Sequence, residues 1–179
     1  MKIILFLSLL IWVIPGFGKV KIQKPRSQHV TAFAIIVDEM TLEKTGGAVE
    51  AYRDALEADG LSTYIVSGNW KNPDEVKAEI IKLNKRKPVL EGVVFIGDIP
   101  VALIRNAQHM TTAFKMNEDE FPFPESSVPS DRFYDDLHLT FDFICQDSVN
   151  TSHFYYKLRE DSPQQLRPTF YSGRIKYPE

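Results

Sequence analysis

Val30-Thr31-Ala32-Phe33-Ala34-Ile35-Ile36-Val37 is an apolar run interrupted only by Thr31. A strand with one wet face alternates polar and apolar residues. A continuous run suits a strand buried on both faces, as in a parallel sheet covered by helices. Asp38-Glu39 ends it. From Thr45 to Asp59, Ala48, Val49, Tyr52, Ala55 and Leu56 recur with helical spacing, and Gly60 stands where a helix closes in a left-handed turn. Ser62 to Val66 reads as a second strand. Asn72 caps a second helix, with Pro73 at its first position and Glu75 completing a capping-box-like arrangement. Val76, Ile80 and Leu83 line one face of it, and Lys85-Arg86-Lys87 favours the dipole at its end. Leu90 to Ile96 is a third apolar strand, closing in Gly97-Asp98-Ile99-Pro100.

Strand, helix, strand, helix, strand predicts an α/β domain with a mostly parallel, doubly wound sheet flanked by helices. Beyond Pro100 the pattern loosens. Asn117 to Pro129 reads as an exposed acidic loop, with strands expected at Leu139–Cys145 and Pro168–Ile175. Gln146 to Pro168 between them reads as an insertion with a short helical piece around His153–Arg159.

The 179 residues are 44% hydrophobic, 25% charged and 12% aromatic, which excludes disorder and a disulfide-built miniprotein. With 21 basic and 24 acidic residues the net charge is −3, which argues against nucleic acid as a partner. Met1-Lys2, the apolar run Ile3 to Ile14, Pro15 and Gly16-Phe17-Gly18 form a secretory signal peptide, residues 1–18, cut after Gly18. Its apolar run is shorter than the roughly 20 residues a membrane span needs, so no stable membrane anchor is expected. Residues 19–179 are then an exported α/β domain, secreted, periplasmic or at the cell surface. Cys145 is the single cysteine. It has no internal partner and no basic neighbour to make thiolate, and reads as a half-buried structural thiol.

Ligands of open α/β sheets bind at the carboxyl ends of the strands. Asp38 and Asp98 follow the first and third strands there. They could form an acid/base or cation-holding pair, although Asp at a strand-to-helix junction is more commonly a helix cap. No glycine-rich phosphate loop, HExxH or Gly-x-Ser-x-Gly is present, and His29, His109, His138 and His153 share no metal-ligand spacing. No cofactor and no metal is called for.

Three segments carry a family resemblance. They are Val93-Val94-Phe95-Ile96-Gly97-Asp98-Ile99-Pro100, Ser130-Asp131-Arg132-Phe133-Tyr134-Asp135-Asp136-Leu137 and Pro168-Thr169-Phe170-Tyr171-Ser172-Gly173-Arg174-Ile175. A strand ending in Gly-Asp, a Ser-Asp-x-x-Tyr segment and a strand closing in Gly-Arg, in that order, resemble the amino-terminal half of the gingipain-type cysteine peptidases. The resemblance spans roughly Val30 to Ile175. It implies a caspase-like fold, apparently truncated, and a peptide or protein substrate. It places Asp98 and Asp131 at the active-site edge. The family's catalytic His and Cys follow the Gly-Arg strand, and the missing carboxyl-terminal half would hold both, so no catalytic residue is assigned here. Cys145 and His153 precede Gly173-Arg174 and do not match those positions. Thr169 stands where the family often has an acid, and His138-Leu139-Thr140 replaces its acidic turn. The resemblance implies a peptidase part inactive by itself. The alternative is a non-catalytic exported α/β binding module or degenerate peptidase relative.

Overall fold

A computed structural model describes residues 20–111 and 116–176; the expected signal peptide lies outside the described residues. Strand β1 (Lys21–Gln23) leads to β2 (Thr31–Asp38), helix α1 (Glu39–Ala58), β3 (Leu61–Gly68), α2 (Pro73–Asn84) and β4 (Val89–Ile96). Then follow β5 (Val101–Arg105), a 3-10 turn at Gln108–Met110, the one-turn helix α3 (Phe123–Ser126) and β6 (Val128–Pro129). The one-turn helix α4 (Arg132–Asp135), β7 (Phe141–Gln146), β8 (His153–Leu158) and β9 (Tyr171–Ile175) complete the order.

The class is α/β, but the sheets are two and both are mixed. The first runs β1-β3-β2-β4-β9, the second β6-β5-β8-β7. In the first, β2 pairs in parallel with β3 and β4, and β4 with β9, while β1 joins β3 antiparallel. In the second only β5 and β8 are parallel, since β6 and β7 are both antiparallel to their neighbours. A mostly parallel sheet is therefore too simple a description. His153-Phe154-Tyr155-Tyr156-Lys157-Leu158 is a strand and not a helical piece, because its aromatic side chains pack on a pleated surface. Phe154, Tyr155, Tyr156 and Leu158 are buried, so the supposed insertion supplies core. The expected exposed loop carries α3 and β6, and Ser126 and Ser127 in it are buried.

Ala32 to Val37 are all nearly or fully buried, as a two-faced apolar strand requires. Phe33, Ile35 and Val37 face α1 together with Val49, Ile65 and Val94. Ala34 and Ile36 face the larger core, where Val76, Ile80 and Leu83 of α2 meet Phe133, Tyr134 and Tyr156. Burying a large apolar side chain there contributes about 1.5–3 kcal/mol each.

Helix α1 begins at Glu39, earlier than Thr45; Thr45 is a kink inside it, at φ −124° and ψ 17°. Its buried face is also rotated from the expected one. Val49, Arg53 and Glu57 are buried, while Tyr52 is partly exposed. The cause is the segment before β2. The Glu57 carboxylate accepts from the backbone amides of Arg26 (2.9 Å) and Ser27 (3.1 Å), and Arg53 donates to Gln23 (3.0 Å). Helix α2 starts as expected, the Asn72 side chain accepting from Glu75 N at 2.9 Å, but the Glu75 carboxylate accepts from Lys71 N and not from Asn72.

Candidate functional site

The carboxyl ends of β2, β4 and β9 meet in one knot of polar contacts. Asp38 closes β2 and caps α1, one oxygen accepting from Thr41 N at 2.8 Å. Its other oxygen accepts from Asp98 N, also at 2.8 Å, which ties the end of β2 to the turn after β4. That turn requires glycine: Gly97 has φ +84°, and a Cβ there would stand 2.1 Å from Asp38 Oδ2 and 2.3 Å from Thr41 Oγ1. Gly97 N in turn donates to Ile175 O at 3.0 Å, bringing in β9.

Asp38 and Asp98 therefore form no free carboxylate pair. Asp38 spends both oxygens on backbone amides and Asp98 is exposed, so the capping role prevails over the cation-holding one. Among the described residues no group of three or more His, Cys, Asp or Glu side chains could hold a metal ion.

Arg174 on β9 is the centre of the site. Its guanidinium donates to Asp131 through Nη2 at 2.7 Å and Nε at 3.3 Å, to Ile99 O through Nη1 at 2.8 Å, and it lies 5.1 Å from the Phe95 ring. The planar fork suits Arg for this, since one side chain must serve a carboxylate and a carbonyl at once. Tyr134, wholly buried, donates its hydroxyl to Pro100 O at 2.6 Å, and burial pushes that phenol far above its ordinary value. All three segments singled out in the sequence thus converge, and Asp131 sits at the carboxyl edge beside Arg174.

Beneath Arg174 lies a carboxylate the sequence did not single out. Asp135 is wholly buried; Ser172 Oγ donates to its Oδ2, Arg132 Nη2 stands 2.7 Å from the same oxygen, and Oδ1 has no hydrogen-bond partner. Burial raises its pKa, outweighing Ser172 and Arg132. Ser172 and Arg174 stand two residues apart on one strand and so share a face, and both meet the 131–135 turn there. Thr169 donates its backbone amide to Asp135 O at 2.7 Å.

Cys145 is exposed on β7, not half-buried. It pairs across the ladder with Tyr155, while the His153 ring stands 3.2 Å from Asn150 Nδ2. No helix among the described residues is long and apolar enough to cross a membrane. No family model, no curated protein and no solved structure matches this chain.

Proposed function

We propose that the chain is the amino-terminal scaffold of an exported, gingipain-like cysteine peptidase domain with a caspase-like fold. It supplies sheet and one wall of the cleft, and a separate segment supplies the nucleophile. In such a domain a Cys thiolate attacks the peptide carbonyl, a His moves the proton, and backbone amides hold the oxyanion. The observation that carries this reading is the joint of Arg174 with Asp131 and Ile99 O, in which the three resembling segments become neighbours at the ligand-binding edge of the parallel strands. Asp98 and Asp131 stand at that edge as wall residues.

The test is the coding sequence downstream of Glu179, followed by assay of its product. A His-Gly segment and then a strand ending in Cys, with thiol-dependent peptide cleavage that survives Cys145→Ala, supports the proposal. A reading frame lacking both sinks it. A second reading, a non-catalytic exported binding module, is favoured by the placement of Cys145 opposite Tyr155 with no imidazole bonded to it among the described residues. An extended product that binds peptides without cleaving them would select that reading.

A further inference from the structure

The turn between β7 and β8 lies away from the Arg174 joint and carries a motif the joint does not use. Asn150-Thr151-Ser152 fits the Asn-x-Ser/Thr pattern that oligosaccharide transferases modify, with no proline at its middle position. Asn150 is the single asparagine with Ser or Thr two residues on; Lys71, Asp74, Arg86, Gln108 and Asp119 stand there after the others. Asn150 and Thr151 are exposed at the tip of the hairpin, beside Val149 at 92% exposure.

The turn is closed by its own bonds. Asp147 N donates to His153 O and His153 N to Asn150 O, both at 2.9 Å, and the Asp147 carboxylate accepts from Val149 N and Asn150 N, both at 2.8 Å. A substituent on exposed Asn150 therefore displaces no core side chain. The Ser152 hydroxyl, which the pattern requires, donates to Asn150 Oδ1 at 2.9 Å, so the two polar groups of the motif already lie side by side. Asn150 Nδ2 meets the His153 ring at 3.2 Å and, with two hydrogens, keeps one uncommitted among the described residues.

We propose that Asn150 is an N-glycan acceptor, taking a preassembled oligosaccharide from a lipid-pyrophosphate donor as the chain is exported. The site thus rests on the export of the chain, through a compartment that holds the transferase. Asn150 Nδ2 attacks the anomeric carbon of the donor and forms the C–N bond. The bond from that carbon to the pyrophosphate oxygen breaks, the lipid pyrophosphate leaves with the electron pair, and Nδ2 gives up one proton. Neither oxidant nor reductant is needed. The sugar stands at one end of β7, the outer strand of its sheet, where Phe143 and Ile144 are exposed, and its bulk hinders edge-to-edge pairing.

The experiment expresses the chain in insect cells twice, behind its own residues 1–18 and behind a host leader in their place. Peptide mass spectrometry with and without peptide N-glycosidase then maps the sugar. Behind the host leader most secreted chains should carry one glycan, on Asn150, which the glycosidase removes to leave a carboxylate. Asn150→Gln and Ser152→Ala should each abolish it, and Ser152→Thr should keep it. A secreted chain bare at Asn150, or sugar on Ser148 or Ser152 in its place, would overturn the proposal. Glycan behind the host leader but not behind residues 1–18 upholds the acceptor site and sinks the export reading, so the two failures are told apart.

Discussion

Arg174 Nη2 stands 2.7 Å from Asp131 Oδ1 across 43 residues of sequence, and the same guanidinium reaches the carbonyl of Ile99 at 2.8 Å. One side chain thereby fastens the edge strand β9, the turn at 131–135 and the end of β4. The Arg174 side chain is 18% exposed and that of Asp131 26%, so the pair is neither a surface ornament nor a dry ion pair. Its loss is therefore costly mainly through the partners left unsatisfied.

Arg174→Met should destabilise the chain by about 2–3 kcal/mol, because a carboxylate and a carbonyl lose their donor together. Arg174→Lys should lose about 1–2 kcal/mol, since an ammonium keeps the charge without the fork. Denaturant midpoints followed by circular dichroism measure both, and equal stability of Arg174→Met and the parent would refute the role given to the joint.

Glycine positions separate two kinds of cost. Gly97→Ala should destabilise by more than about 2 kcal/mol, combining a left-handed backbone with a Cβ only 2.1 Å from Asp38 Oδ2. At Gly173 a Cβ meets nothing within 4 Å, so Gly173→Ala should change stability by no more than about 0.5–1 kcal/mol in either direction. The same denaturation experiment ranks them.

Asp135 gives the chain a pH dependence with a definite sign. Its folded pKa is raised, so the folded state holds this proton more tightly than the unfolded state does. The stabilisation is complete below the ordinary carboxylate pKa and is lost as pH rises through the raised value. Asp135→Asn keeps an oxygen that accepts from Ser172 and removes the buried charge. It should flatten the stability profile over that window and cost little at neutral pH. Urea midpoints at a series of pH values read this directly; an unchanged slope in the variant would assign the dependence elsewhere.

Cys145 is open to solvent, so iodoacetamide should modify it in the folded chain as readily as an unhindered thiol. Cys145→Ala should shift stability by less than about 0.5 kcal/mol. Intact-mass kinetics show whether the thiol is protected; protection would mean that something covers β7 in solution.

What could be read in the sequence follows from where the physics is local. Ala32 to Val37 reads as a doubly buried strand because burial on both faces leaves no polar alternation. Asn72-Pro73 marks the start of α2 because a cap and a fixed φ act within one turn. The strand expected at Pro168–Ile175 was also legible: β9 runs beside β4, with Tyr171 and Ile175 exposed at 51% and 54% and Phe170, just before it, buried at 5%. The second sheet was not legible. Val101–Arg105 is a five-residue run directly after a proline, and His153–Leu158 carries helix and strand cues together until Val101 and His153 pair across 52 residues. At the site, Asp98 follows β4 and Asp131 pairs with Arg174 on β9, but the partner of Arg174 and the buried Asp135 depend on contacts across 43 and 37 residues that no local pattern encodes.

The central claim is that these residues supply scaffold and cleft wall but no nucleophile. The most direct measurement is hydrolysis of a fluorogenic peptide library by the 179-residue chain under reducing conditions, beside its Cys145→Ala variant. The account predicts no cleavage above buffer from either protein. Thiol-dependent cleavage that disappears in Cys145→Ala would contradict it, because the nucleophile would then be the exposed cysteine on β7.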